Sequence, residues 1–317
     1  MMDSNNREEN WERKVLERLA LETLVEQRRR RRWGIFFKLL GFAYLGFVLY
    51  LVGDWGPSAD RLPDGKGYTA MVSVEGVIDA GNEASAEQVI ASLQDVFADR
   101  SVRGLVLRVN SPGGSPVQAG MINDEIVRLR AKRPELKVAA VVEDVCASGG
   151  YYVAVAADDI YVDKASLIGS IGVLMDSFGF VGAMDKLGVE RRLLSAGESK
   201  GFLDPFSPQR PDHLAHARGL LGGIHQQFIG IVRKGRGDRL KEVPEMFSGL
   251  VWTGERSIEL GLADGYGTVA SVARDVFKAE EVRDFTQRRN FAERFAQRFG
   301  ADMAESMMNT LARVSLR

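Results

Sequence analysis

Between residues 68 and 157 the chain alternates short, β-branched apolar runs with longer amphipathic ones, and this alternation restricts its fold more than any other feature. The strand-like runs are 68–74, 104–109 (GLVLRV) and 137–142 (KVAAVV); the helix-like runs are 87–97, 117–131 and 151–157 (YYVAVAA). A helix between two strands returns the chain to the edge where the first strand began, so successive strands pair in parallel. The expectation is an α/β fold of βαβ units around a parallel sheet. Residues 159–162 (DIYV) and 191–194 (RRLL) are further short strand candidates, and 167–187, between them, is expected to line a cleft. Residues 212–234, after Pro211, read as a long helix.

In such a sheet, ligands gather at the C-terminal ends of the strands. Asn110-Ser111-Pro112-Gly113-Gly114 directly follows the run 104–109. Its paired glycines let backbone N–H groups face a cleft without a side chain in the way, as an oxyanion hole requires, although an ordinary turn has the same composition. Ala147-Ser148-Gly149-Gly150 lies where a strand gives way to a helix, which puts a hydroxyl near a helix N-terminus that favours developing negative charge. Such a serine is a candidate nucleophile, although a serine there more often serves as a plain N-cap or a small residue in a tight turn. In Ser195-Ala196-Gly197-Glu198-Ser199-Lys200-Gly201 a lysine follows small residues; it is a candidate base or a solvated loop lysine.

Together these stretches resemble, in order, spacing and local words, the signal peptide peptidase A (protease IV) family of bacterial serine peptidases over residues 68–277. The resemblance implies a ClpP/crotonase-like α/β core of repeated ββα/βαβ units. It implies Ser148 as nucleophile, Lys200 as general base, and the N–H groups of Gly114 and Gly149 as the oxyanion hole. Ser170, in Ile168-Gly169-Ser170-Ile171-Gly172-Val173, corresponds to the family serine that supports the lysine amine. The chemistry is self-consistent. An amine accepts a proton only when neutral, a form that an apolar, water-excluding cleft favours; it then takes the serine proton, an acyl-enzyme forms, and the proton passes to the leaving amine. The resemblance further implies that remnant signal peptides and other small or unfolded membrane-associated polypeptides are the substrates. It also implies a homo-oligomer in which neighbours can complete one another's sites.

Ahead of this domain, residues 1–32 are polar and charged and end in Arg28-Arg29-Arg30-Arg31-Arg32, with a short amphipathic helix expected before the arginines. The apolar segment 33–53 follows, of the length a transmembrane helix needs, with Lys38 near the basic end and aromatic residues at both margins. Residues 54–67 form a Gly/Pro-bearing linker, 68–280 the peptidase domain, and 281–317 a basic tail with Phe291, Phe295 and Phe299 on one helical face. The segment is long for a cleaved signal peptide and ends without a persuasive Ala-x-Ala site, so a single retained anchor in the inner (cytoplasmic) membrane is expected.

Of 317 residues, 45% are hydrophobic and 27% charged, and the net charge of -1 gives no ground for a nucleic-acid partner. The lone Cys146 excludes an intrachain disulfide and a cysteine-rich zinc site; it reads as a small buried hydrophobe rather than a rival nucleophile. His213, His216 and His225 all fall on the long helix and read as solvated, with no HExxH arrangement around them. Gly265-Tyr266-Gly267 is a turn rather than a dinucleotide fingerprint, so neither metal nor cofactor is expected. Two other readings share the features of the sequence: a crotonase-like acyl-CoA enzyme, which would need no exported domain, and a catalytically silent membrane scaffold.

With the arginine block held in the cytoplasm, the domain beyond residue 54 lies outside it. Protease added to intact spheroplasts should therefore digest the domain. Protection that persists until lysis would reverse the orientation.

Overall fold

The computed structural model describes residues 28–47 and 67–288. The described residues fall into two units, one holding residues 28–47 and the other residues 67–288. In the first, residues 28–47 are helical, and Trp33, Phe36, Phe37, Leu39, Leu40 and Phe42 are all more than half exposed. Among the described residues no helix is long and apolar enough to cross a membrane. The expected span continues to residue 53, and its last part lies outside the described residues, as do most of the linker, the expected N-terminal amphipathic helix and the phenylalanine-bearing tail.

The second unit is an α/β sheet. Its first half is β1 (Tyr68–Glu75), α1 (Ala86–Ala98), β2 (Val102–Ser111), α2 (Pro116–Lys132), β3 (Lys137–Ala147) and α3 (Gly149–Ala154). Then come β4 (Asp159–Val162), β5 (Leu167–Gly169), α4 (Val181–Leu187), the long α5 (Pro211–Arg236), β6 (Val251–Thr253) and α6 (Gly254–Glu259). Short β7 (Gly265–Tyr266), α7 (Val269–Ser271) with a π-turn over Val272–Val276, and β8 (Val282–Asp284) complete it. The main path runs β6-β5-β3-β2-β1-β8, with β4 joined to β3 and β7 to β4. Every pair is parallel except β5 with β6.

The strands are nearly continuous apolar runs because both faces are covered. On one face Leu105, Leu107 and Val109 pack with Val89 and Leu93 of α1 and Ile122 and Ile126 of α2 in one buried cluster. On the other, Val106, Ala139 and Val141 meet Val272 and Phe277. Gly104 has no room for a side chain there, since a Cβ would come within 2.3 Å of the Phe277 ring.

The strand that organises the sheet is β3. It stays in register with β2 from Gly104↔Lys137 to Val109↔Val142, and then the register slips before Ser111↔Cys146. Its first half pairs with β4 (Ala139↔Asp159) and its last three residues with β5 (Val145↔Leu167 to Ala147↔Gly169). The irregularity lets one strand serve two neighbours and carries residues 145–147 out toward the cleft. Sequence periodicity ended this strand at residue 142. The run 191–194, expected as a strand, has no regular structure; it is exposed and pairs with no strand among the described residues.

A buried ion pair fixes the end of α5. Arg236 is 1% exposed and donates from Nη1 and Nη2 to Asp264 at 2.8 and 2.7 Å, and from Nε to the Gly261 carbonyl at 2.7 Å. Asp264 also accepts from the Ile160 N–H at 2.7 Å, which ties β4 to the same carboxylate. Burial alone would raise the Asp264 carboxyl; the Arg236 guanidinium and the Ile160 N–H outweigh it and hold the group below the ordinary carboxylate range. A depressed carboxyl stabilises the fold when ionised, so this contribution is present above the unfolded value of about 4 and is lost as pH falls through the folded one. Asp264→Asn leaves a buried guanidinium unpaired and should cost about 3–5 kcal/mol in urea unfolding at neutral pH, with the gap to wild type narrowing below about pH 4. A cost below about 1 kcal/mol would show that the pair is not structural.

Candidate active site

The β3–α3 junction turns sharply at Ser148, which has φ +50 and ψ -121, a backbone conformation that L-residues other than glycine seldom adopt. The turn is held from both sides: the Ser148 N–H donates to the Gly169 carbonyl of β5 at 2.8 Å, and the Tyr152 N–H closes on the Ser148 carbonyl at 3.0 Å. Tyr151 anchors α3 from below, its buried hydroxyl donating to the Leu262 carbonyl at 2.8 Å. A sharp strand-to-helix turn with a strained residue at its apex leaves that side chain projecting from the sheet, a recurring way of presenting a nucleophile.

The β2–α2 turn lies against this junction, backbone to backbone. Added Cβ atoms would fall 2.7 Å from the Gly149 nitrogen at Gly113, and 2.2 Å from the Ile78 carbonyl oxygen at Gly114. Both glycines have positive φ, +104 and +149. The turn is pinned by the Ser111 hydroxyl, which donates to the Gly76 carbonyl at 2.6 Å and accepts from the Gly113 N–H at 3.1 Å. The Ile78 N–H bonds the Gly113 carbonyl and the Ser115 N–H bonds the Ile78 carbonyl, which passes over Gly114 and leaves its N–H unused. Among the described residues neither the Gly114 nor the Gly149 N–H has an acceptor. A Cβ built on Gly149 would sit 3.2 Å from the Gly114 nitrogen, so the two donors are close neighbours.

Both glycines line, with Ser148 and Ser170, a cleft of about 470 Å³. Its remaining wall is mainly apolar: Pro116 of α2, Tyr152 of α3, Val173, Leu174, and Ile224 and Phe228 of α5, with Gln227 and Ser248 as polar additions. Ser170 also has positive φ (+50), and its N–H donates to the Leu250 carbonyl at 2.8 Å. Four of the five residues singled out from the sequence thus meet in one cavity: a hydroxyl, two unused N–H donors and a second hydroxyl. Lys200 is not among the residues lining it. The lysine sits exposed in a turn closed by its own N–H on the Gly197 carbonyl, on a segment tied to the start of α5 by Arg210 donating to the Glu198 carbonyl.

The contribution of α5 was not legible from sequence, because Ile224, Gln227 and Phe228 carry no motif. The histidines also differ from expectation. His216 is exposed, but His213 is 7% exposed beneath the Phe202 ring, and the Nε2 of His225 lies 3.1 Å from the Ile171 carbonyl. Among the described residues no His, Cys, Asp or Glu cluster could hold a metal. Cys146 is buried, and burial pushes its thiol well above the ordinary range, so it is not a competing nucleophile.

Strain at residue 148 is measurable apart from activity. Glycine relieves a positive φ that alanine retains, against an entropic cost of about 0.5–1 kcal/mol. Ser148→Gly should therefore unfold at higher urea than Ser148→Ala, by about 1 kcal/mol. Equal midpoints would mean that the turn is not strained.

Residues 130–283 match the model of Peptidase family S49. Protease 4 of Haemophilus influenzae is 31% identical over 76% of this chain and 39% of its own length. A protein of Enterococcus faecium named as a signal peptide peptidase, SppA, is 28% identical over 68% of this chain and 64% of its own. A Brucella melitensis protein named Na(+)/H(+) antiporter NhaA is 43% identical over 58% of this chain, but only 25% of that protein is covered, so its name says nothing of the shared part. The chain thus spans from a quarter to just under two thirds of the length of these relatives. A solved structure of a membrane-bound stomatin-specific protease aligns at TM-score 0.46 and 14% identity over 74% of this chain and 99% of that one, a likeness too slight to build on.

Proposed function

We infer that this chain, which carries a Peptidase family S49 domain over residues 130–283, is a membrane-anchored serine endopeptidase acting through an acyl-enzyme on Ser148. The observation that carries the reading is the meeting of a strained, projecting Ser148 with the two unused N–H groups of Gly114 and Gly149 in one apolar-walled cleft. Two donors fixed before the substrate arrives stabilise the oxyanion of a tetrahedral intermediate at no cost of reorganisation. The apolar wall supports substrates that present an apolar side chain beside the scissile bond, as remnant signal peptides and unfolded membrane-associated segments do.

Lys200 is proposed as the general base, with the Ser170 hydroxyl supporting its amine. Lys200 is exposed and stands outside the lining of the cleft, so among the described residues of one chain none supplies the dry surroundings that a basic amine needs. The segment that bears it also exposes Leu174, Met175, Phe178, Leu187, Val189 and Leu194. Apolar surface on this scale calls for a partner. Both features are accounted for by a homo-oligomer in which the Lys200 segment of one copy closes over the Ser148 cleft of another. The arginine block at 28–32, which opens a helix of exposed apolar residues, supports an anchor in the cytoplasmic membrane with the domain on its outer side.

Ser148→Ala and Lys200→Ala should each lower kcat/KM on an apolar peptide by at least about a thousandfold, with the fold intact. Co-assembly of the two inactive variants should restore part of the activity, because some sites would then combine an intact Ser148 with a neighbour's intact Lys200. If the mixed oligomer stays inactive, the base belongs to the same chain. If wild type takes no mass increment from a fluorophosphonate while Ser148→Ala behaves identically, the silent-scaffold reading replaces the peptidase.

A further inference from the structure

We infer that His225 is a positioning residue for substrate, holding the wall of the Ser148 cleft in place through the Ile171 carbonyl. The inference deepens the peptidase reading and rests on it. Strand β5 ends at Gly169, so beyond that residue the sheet no longer satisfies the backbone. The next three residues are nevertheless tightly defined. Ser170 has positive φ, the Gly172 N–H folds back onto the Ser170 carbonyl at 2.9 Å, and a Cβ on Gly172 would come within 3.0 Å of the Gly249 Cα. One side of this segment is fixed by the Ser170 N–H on the Leu250 carbonyl. The other is fixed by His225, whose Nε2 lies 3.1 Å from the Ile171 carbonyl oxygen.

A carbonyl only accepts, so Nε2 must carry the proton and donate. The Ile171 side chain is fully buried, while Ser170, Gly172 and Val173 line the cleft; the Ile171 backbone is therefore the hinge between core and substrate wall. His225 sits on α5 between residues that line the same cleft, Ile224 and Gln227, so one helix both forms one wall and fastens the opposite one. Removing the donor leaves a partly buried carbonyl without its partner and frees the wall to move, while Ser148, Gly114 and Gly149 stay held by their own bonds.

The test compares wild type, His225→Ala and His225→Gln, the last of which can present an amide N–H toward the same carbonyl. On an extended apolar peptide, His225→Ala should lose about tenfold in kcat/KM, mostly as a raised KM. Labelling of Ser148 by a small fluorophosphonate, which needs Ser170 at the end still held by Leu250 but not the Gly172–Val173 stretch beyond the tether, should be largely kept, which also shows that the variant is folded. His225→Gln should recover most of the loss. Unchanged kcat/KM in His225→Ala, a His225→Gln variant no better than the alanine, or labelling lost in parallel with peptide cleavage would each overturn the assignment. If wild type itself resists the label, the peptidase reading fails. The tether is then decided by the imidazole ¹⁵N spectrum, where a slowly exchanging Nε2–H at His225 upholds it and its absence overturns it.

Discussion

The site depends on two backbone turns in van der Waals contact. The β2–α2 turn at Gly113–Gly114 and the β3–α3 turn at Ser148–Gly149 lie so close that a single methyl group at Gly113 would strike the neighbouring nitrogen. Side chains could not achieve this closeness, and most of what surrounds the turns serves to maintain it. The parallel pairing of β2 with β3 brings the two strand ends level, and the slip in register before Cys146 lets β3 reach further than its neighbour. Ser111 fastens one turn to Gly76, and Gly169 accepts the N–H of the other. The unused donors are a by-product of this geometry. Ile78 bonds the residues on either side of Gly114, and Gly149 begins a helix with no turn before it to accept its N–H.

Much of the fold could be read in the sequence because β1, α1, β2 and α2 are locally consistent: each has the periodicity, the breakers and the burial that its final environment demands. The strand ends also pointed to the candidate site, since Asn110–Gly114 and Ala147–Gly150 combine glycines with small polar residues where a parallel sheet places its ligands. What could not be read was set by tertiary contacts. Residues 143–147 (EDVCA) fall beyond the β-branched run, and they continue the strand where β5 and Ser111 of β2 are there to pair with them. The stretch 191–194 reads as a strand but pairs with none among the described residues. The sheet also runs on past residue 280, where Val282–Asp284 pairs with β1 although its composition is that of the tail.

The three histidines show the same limit in side-chain terms. Their spacing placed them all on one helix, and a polar residue on a long helix reads as solvated. Two are instead withdrawn from solvent, His213 buried beside the Phe202 ring and His225 half-buried against the Ile171 carbonyl. No local pattern encodes such pairings. Conversely, the exposed apolar residues of the 174–194 segment break the expectation that a finished surface is mixed and polar, and in this chain they accompany the one catalytic candidate that the single-chain cleft lacks.

The single cysteine gives the buried β3–β5 junction an intrinsic reporter. Cys146 has no accessible surface and lies two residues before Ser148, on the part of β3 paired with both Ser111 and Ile168. A thiol in that position is silent toward alkylating reagents while the strands remain zipped. Reaction requires the strand to detach, so the rate at which the protein consumes a maleimide measures how often the floor beneath Ser148 breathes open.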